Sequence, residues 1–156
     1  MCKEIKNPTT ITDLSLLSLS LESHGASDGP GDFDANVRID IESPTTEPSD
    51  DGLMLGTTTA LRVTSASRND GSDLCTIEMK VGCTVLGTSG ESEDELWAQA
   101  IESCVGYARA LVRGLTQDSA ARTAILIPRV DSAWLVADAR RKKAGDEAGG
   151  TSVSQE

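Results

Sequence analysis

The sequence predicts an α+β domain: a four-stranded antiparallel sheet with a long amphipathic helix and a shorter C-terminal helix on one face. Segments with apolar residues at every second position come first in the chain, and two segments with helical spacing follow them. At 156 residues, the chain is long enough for one domain with its own core. We predict a flexible N-terminus over 1–10, a folded domain over 11–143 and a disordered acidic tail over 144–156.

The first strand is predicted over 11–22, and its alternation changes in the middle. The leucines on either side of the change have opposite parity; they are Leu14 and Leu16 before it, and Leu17, Leu19 and Leu21 after it. Because successive side chains of a strand point to opposite faces, either a β-bulge separates the two sets or both faces of the strand are covered.

Three further strands complete the predicted sheet. Alternating apolar residues place them over 37–42, 55–65 and 75–85. A loop that contains Pro and Gly is predicted over 43–52, and a turn over 68–73 makes the last two strands an antiparallel hairpin. In the last strand, Met79 and Val85 belong to the set of apolar side chains that point to one face.

The most regular segment is a helix that begins near Ser92. Ser92 and Glu95 have the spacing of a capping box, in which each side chain binds a free backbone N–H of the first turn. The apolar stripe that follows is wide enough to meet the sheet and a second subunit. The stripe residues that we assign to a subunit interface are Ile101, Val105, Ala108, Leu111 and Val112.

A second helix is predicted after the apolar segment over 124–127 and Pro128, with Asp131 or Ser132 as its N-cap. The basic run at its end, over 140–143, is better explained as a solvated helix terminus than as a binding patch. A formal net charge of -11 argues against nucleic acid or an anionic membrane as a partner. With no apolar run near the roughly 18 residues of a membrane span and no signal-peptide pattern, we expect a cytoplasmic protein.

No set of residues in the sequence has the pattern of a catalytic or metal site. His24 is the only histidine and has no nearby nucleophile. The acidic residues over 91–95 suit a helix N-terminus better than a calcium loop, and the cysteines fit neither a zinc pair nor a disulfide framework. We therefore expect no enzyme, no metal and no cofactor. The apolar surface instead predicts oligomerisation or an apolar binding groove.

Several short strings resemble the SecB family of chaperones over about residues 11–137. They are Leu19–Glu22, Val37–Ile41, Leu61–Thr64, Leu74 with Cys75, Tyr107–Arg109, and Pro128. The interval between the last two matches the family without a gap. The resemblance implies an ATP-independent holdase that binds unfolded or preprotein polypeptides in apolar grooves. It also implies a homotetramer, a dimer of dimers with the long helix at the interface.

We expect six residues to bind peptide, with core packing as the alternative for each: Leu17, Leu19, Leu21, Met79, Val85 and Trp134. In export chaperones of the family, an acidic sheet face docks the SecA motor. Glu22 matches one of those acids and is a possible SecA contact, but Ser18 and Thr76 stand where other acids are expected. Besides unfolded polypeptides, the expected partners are SecA, or an antitoxin or another client to which the chaperone is dedicated. A non-catalytic adaptor that binds one folded protein is the alternative function.

Overall fold

The computed structural model describes residues 10–24, 33–50, 52–68, 71–87, 90–117 and 125–150. Its architecture is the predicted α+β arrangement of an antiparallel sheet with two helices. In chain order, the elements are β1 (Thr10–Ser23), β2 (Phe33–Ile41), β3 (Thr45–Ser49), β4 (Gly52–Ser67), β5 (Asp73–Gly87), α1 (Glu93–Gln117) and α2 (Ser132–Gly150).

The sheet has four strand positions, in the order β1-β5-β4-β2, and all neighbours are antiparallel. The segment β3 pairs with β4 beyond the end of β2, so β2 and β3 share the last position. The prediction of a loop over 43–52 was therefore wrong in part. β4 begins earlier than its sequence pattern suggested, and its extra length offers β3 a partner. Pro48 is compatible with β3 because this segment lies at the edge of the sheet.

Of the two alternatives for β1, a β-bulge or coverage of both faces, the structure has the β-bulge. The register between β1 and β5 shifts between Leu16 and Ser18, where the sequence parity changes, and shifts a first time between Ile11 and Asp13. Each shift inserts one extra residue into β1, and an extra residue reverses the face to which the following side chains point.

The core lies between α1 and one face of the sheet. The alternating apolar residues of β4 and β5 are buried on that face, and α1 packs across both strands. The predicted capping box starts the helix: the Ser92 hydroxyl accepts from the Glu95 N–H at 3.2 Å, and Glu95 Oε2 accepts from the Ser92 N–H at 3.4 Å. The cap fixes where α1 begins over the sheet.

The second helix packs mainly against α1. Asp131 Oδ1 accepts from the Trp134 N–H at 3.0 Å, which confirms the predicted cap. Near the middle of α2, the Arg140 guanidinium lies 4.9 Å from the Trp97 ring centre and pairs with Glu93 at 2.9 Å. α2 continues to Gly150 and so crosses the predicted boundary at 144, while residues 1–9 and 151–156 lie outside the described part.

Arg109 holds the segment over 125–131 against α1. Its Nε donates to the Ile127 carbonyl at 2.8 Å, and its terminal nitrogen donates to the Pro128 carbonyl at 3.0 Å. The Ile125 N–H donates to the Thr116 hydroxyl at 2.8 Å. The two strings whose spacing resembles the SecB family are thus joined by hydrogen bonds.

Gly87 lies where a side chain has no room. A Cβ at this position would be 2.5 and 2.6 Å from the two methyl carbons of Leu96, which is fully buried in the first turn of α1. We expect Gly87→Ala to destabilise the fold by about 1–3 kcal/mol through overpacking, measured by urea unfolding. Gly145→Ala is the control, because nothing lies within 4 Å of its new Cβ. Equal unfolding midpoints for both variants would contradict this account.

Candidate functional site

The apolar side chains of β1 form a row on the helix side of the sheet. Directly opposed residues of antiparallel strands share a face, and each row residue is opposite a buried residue of β5. We call this set the edge row, and it consists of Ile11, Leu14, Leu16, Leu19 and Leu21. The two register shifts of β1 place all five on the same face in spite of their uneven spacing.

The edge row is only partly covered. Leu14 and Leu16 pack against the core, but Ile11, Leu19 and Leu21 are 49%, 41% and 45% exposed. β1 is the first strand of the sheet, and within the described residues only β5 pairs with it. The backbone groups on its other side are therefore open to an additional strand, beside exposed apolar side chains.

A cleft borders one end of the edge row. It has a volume of about 380 Å³ and lies between β1 and α1, lined by Ile11, Val85, Gln99, Glu102 and Ser103. α1 crosses β4 and β5 and barely contacts β1, so the helix forms one wall of a groove instead of a cover. An extended chain along β1 would have apolar contacts below it and the polar residues of α1 beside it.

The structure separates the three leucines that we predicted to act together. Leu19 and Leu21 belong to the edge row, whereas Leu17 is the extra residue of the bulge and lies over Gly82 on the opposite face. An ideal Cβ on Gly82 would be 3.2 Å from Leu17 Cδ1. The sequence contained the signal for this separation in its change of parity, but alternation alone does not say which residue is the extra one.

Of the other predicted peptide-binding residues, two lie in the core and one lies on the surface of α2. Met79 and Val85 are 2% and 0% exposed under α1, so the structure contradicts their assignment to an open groove: they are core residues. Trp134 is 55% exposed on the first turn of α2. Sequence reasoning missed Ile11, because the first register shift hides its place in the edge row.

The predicted interface residues on α1 face their own sheet. Ile101, Val105, Ala108 and Val112 are at most 3% exposed in a single subunit, and only Leu111 is half-buried. The first four are therefore core residues and cannot form a surface between subunits. The physical reason is that the sheet, α2 and the segment over 125–131 together cover these four positions.

The possible SecA contact, Glu22, lies on the opposite face of the sheet from the edge row. It is 66% exposed, and its carboxylate is 3.5 Å from His24 Nε2. The His24 backbone N–H donates to the Leu74 carbonyl at 2.8 Å.

Among the described residues, no group of three or more His, Cys, Asp or Glu side chains is placed to hold a metal ion. Neither described helix combines the length and the apolar content that crossing a membrane requires.

The thiols of Cys83 and Cys104 are buried between β5 and α1. Cys104 Sγ donates to the Val81 carbonyl at 3.5 Å, and both side chains are at most 2% exposed. The neighbouring Cys104 thiol and burial raise the pKa of Cys83 well above its ordinary value. Burial also raises the pKa of Cys75. Since the thiolate is the reactive form, Cys75 and Cys83 are poor nucleophiles. Hydrogen bonds from the Cys83 and Thr59 side chains lower the pKa of Cys104, so it is burial that protects this thiol from reagents.

We expect Cys83 and Cys104 to be protected from Ellman's reagent in the native protein. A Cys2→Ser variant removes the thiol that lies outside the described residues, and absorbance follows the reaction with time. Cys75 should react slowly, and the other two thiols should react only after guanidinium unfolds the chain. Rapid reaction of all three under native conditions would show that the packing between β5 and α1 is not the one described.

Comparison with known proteins relates this arrangement to one solved chaperone. No protein-family model matches the sequence, and no curated protein matches it significantly. The structure is similar to a SecB-like chaperone from Mycobacterium tuberculosis in complex with an antitoxin peptide, with 16% identity and a TM-score of 0.59 over 78% of this chain and 90% of that chain. A Streptococcus agalactiae protein of unknown function matches with 9% identity and a TM-score of 0.44, over 78% and 98% of the two chains. The predicted resemblance therefore holds for the architecture, and the chain has a SecB-like fold.

Proposed function

We propose that this protein is an ATP-independent chaperone of the SecB type that holds unfolded polypeptides along the edge row. The observation that carries the proposal is the exposure of Ile11, Leu19 and Leu21 on a strand with an open edge. An added strand gains backbone hydrogen bonds with little demand on sequence, and the apolar row contributes contact area. Neither interaction needs a cofactor or a catalytic group.

The client we propose is an extended segment of polypeptide, such as an antitoxin or a preprotein in the cytoplasm. The Mycobacterium tuberculosis chaperone was solved with an antitoxin peptide, which supports a dedicated client of that kind. Glu22 lies on a face where Arg38, Arg62 and Lys80 are interspersed with the acids Asp40 and Glu78. Ser18 and Thr76 also stand where the resemblance to export chaperones expects acids, and this mixed charge favours the antitoxin role over docking of SecA.

We further propose that the subunits assemble as a homotetramer, a dimer of dimers in which α1 helices meet. The buried stripe of α1 is occupied by its own sheet, so the contact must use the exposed side of the helix. Gly106, Ala110 and Gly114 follow each other at four-residue spacing on that exposed side. Small side chains at this spacing allow two helices to approach closely.

We expect Ala110→Arg to dissociate the assembly without unfolding the subunit. The substitution adds a long cation to the exposed side of α1 and leaves the core unchanged. Light scattering coupled to size exclusion gives the mass, and circular dichroism checks the helix content. Ala137→Arg, an equal change at an exposed position of α2, is the control. A tetramer that persists in Ala110→Arg would exclude this side of α1 as the interface.

The chaperone proposal is tested by aggregation of a denatured model protein diluted into buffer without ATP. Light scattering is followed with and without a few-fold excess of this protein. Suppressed aggregation is the expected result, because the client would be held along the edge row. If aggregation is unchanged while the protein is folded, general holdase activity is excluded. In that case the alternative, an adaptor that binds one folded partner stoichiometrically through the same surface, is favoured.

A further inference from the structure

The sheet face opposite the helices, which we call the outer face, has a shallow depression that spans all four strand positions. Its volume is about 380 Å³, and short side chains such as Ser18, Ser20 and Ala60 form its floor. The cations that surround this floor are Arg38, Arg62 and Lys80. Three cations around one depression contrast with the formal charge of -11 for the whole chain.

Arg38 and Arg62 are directly opposite each other in the register of β2 and β4. Like charges at opposed positions destabilise a sheet. Each guanidinium has one carboxylate neighbour: Arg38 is 3.2 Å from Asp40, and Arg62 is 3.3 Å from Glu78. All four side chains are more than half exposed, so water weakens these ion pairs. A carboxylate from another molecule can therefore replace Asp40 beside Arg38 or Glu78 beside Arg62.

Lys80 lies in the next row of the sheet, opposite Ala60 on β4 and Ser18 on β1. It is exposed, and among the residues that the structure describes it has no ion-pair partner. Since the side chains of Ala60 and Ser18 are short, a ligand can reach the Lys80 ammonium group from either neighbouring strand. The depression therefore combines an unpaired cation with two guanidinium groups whose mutual repulsion is only partly offset.

We propose that the outer face docks an extended acidic segment of a partner protein. Its carboxylates pair with Arg62, Lys80 and Arg38, because a guanidinium binds a carboxylate through two parallel hydrogen bonds. A carboxylate placed between Arg38 and Arg62 also relieves the repulsion between them. The rest of this acidic chain repels such a ligand, so charge complementarity confines it to the outer face.

A peptide segment suits the outer face better than a nucleic acid does. Asp40 and Glu78 lie between the cations and would face the continuous charge of a phosphate backbone, whereas a peptide can space its carboxylates to avoid them. The outer face is separated from the edge row by the thickness of the sheet. This docking role is thus independent of the proposed chaperone activity, and the two can be tested separately.

The test is fluorescence anisotropy with a fluorescein-labelled peptide of alternating Glu and Ser. We expect the full-length protein to bind it saturably, with an affinity that falls as salt rises. The double variant Arg62→Gln/Lys80→Gln should bind about tenfold more weakly, and Ala60→Tyr, which fills the depression without removing a cation, should also weaken binding. The matched control is Lys142→Gln/Lys143→Gln, which makes the same change in charge at the exposed surface of α2 and should retain the affinity.

Three results would overturn the proposal: no saturable binding by the unaltered protein, equal binding of a Gln-Ser peptide, or unchanged affinity in Arg62→Gln/Lys80→Gln. Single-stranded RNA that displaces the acidic peptide from the same site with higher affinity would assign the outer face to nucleic acid and overturn it as well. The Arg62→Gln/Lys80→Gln variant should still suppress aggregation of a denatured client. Failure of peptide docking is therefore distinguishable from failure of the chaperone proposal.

Discussion

Val105→Asp is expected to unfold the subunit. Val105 is 3% exposed in α1, within the apolar cluster that includes Ile101 and Val81. A carboxylate at this position must either stay ionised in an apolar environment or take up a proton, and both cost free energy. A loss of about 4 kcal/mol or more is typical of an unpaired charge in a core, and a domain of this size has only about 5–15 kcal/mol in total. Circular dichroism and urea unfolding measure the effect.

Leu111→Asp and Ala110→Asp are graded controls for this experiment. Leu111 is half-buried and Ala110 is exposed, so the loss of stability should be smaller at Leu111 and smallest at Ala110. All three substitutions introduce the same charge on the same helix. Because Ala110 lies on the proposed subunit contact and outside the core, Ala110→Asp separates the loss of assembly from the loss of core packing. If Val105→Asp remained folded and merely lost its assembly, Val105 would belong to a subunit interface, as the sequence pattern alone suggested.

Local signals predicted much of this fold. The hairpin of β4 and β5, the capping box of α1 and the Asp131 cap of α2 all depend on residues close together in sequence, and the structure contains each of them. The SecB-like order of elements could be recognised for a related reason. Arg109 donates hydrogen bonds to the carbonyls of Ile127 and Pro128, so the two strings that carry the resemblance are in direct contact in the fold.

The site was harder to predict, because it depends on which surfaces remain uncovered. The apolar stripe of α1 is equally consistent with a sheet, a second helix or a second subunit, and only the packed structure shows that the sheet and its neighbours cover Ile101 and Val112 completely. In β1, by contrast, apolar side chains remain exposed, and the sequence did not show which ones share a face. Two bulges place Ile11, Leu19 and Leu21 on one face, and a bulge moves every later side chain in a way that alternation alone cannot locate.

Leu19→Glu/Leu21→Glu is expected to abolish the suppression of aggregation while the subunit stays folded. Both leucines are nearly half exposed, so the fold loses little apolar burial when they are replaced. A client chain loses that contact area, and two charges take its place. Partial burial of two leucines contributes about 2 kcal/mol, which is a factor of about thirty in affinity. Light scattering of the denatured client measures the loss of protection.

The matched control is Ser18→Glu/Ser20→Glu, which adds the same charges to the same strand on its other face. These serines line the floor of the outer-face depression, so this variant should retain the suppression of aggregation and lose the acidic peptide. Leu19→Glu/Leu21→Glu should do the reverse. If both variants lost both activities, the two faces of β1 would not be separate sites, and damage to β1 itself would explain the results. Opposite losses in the two variants would assign the client to the edge row, because charge, strand and neighbouring positions are the same in both.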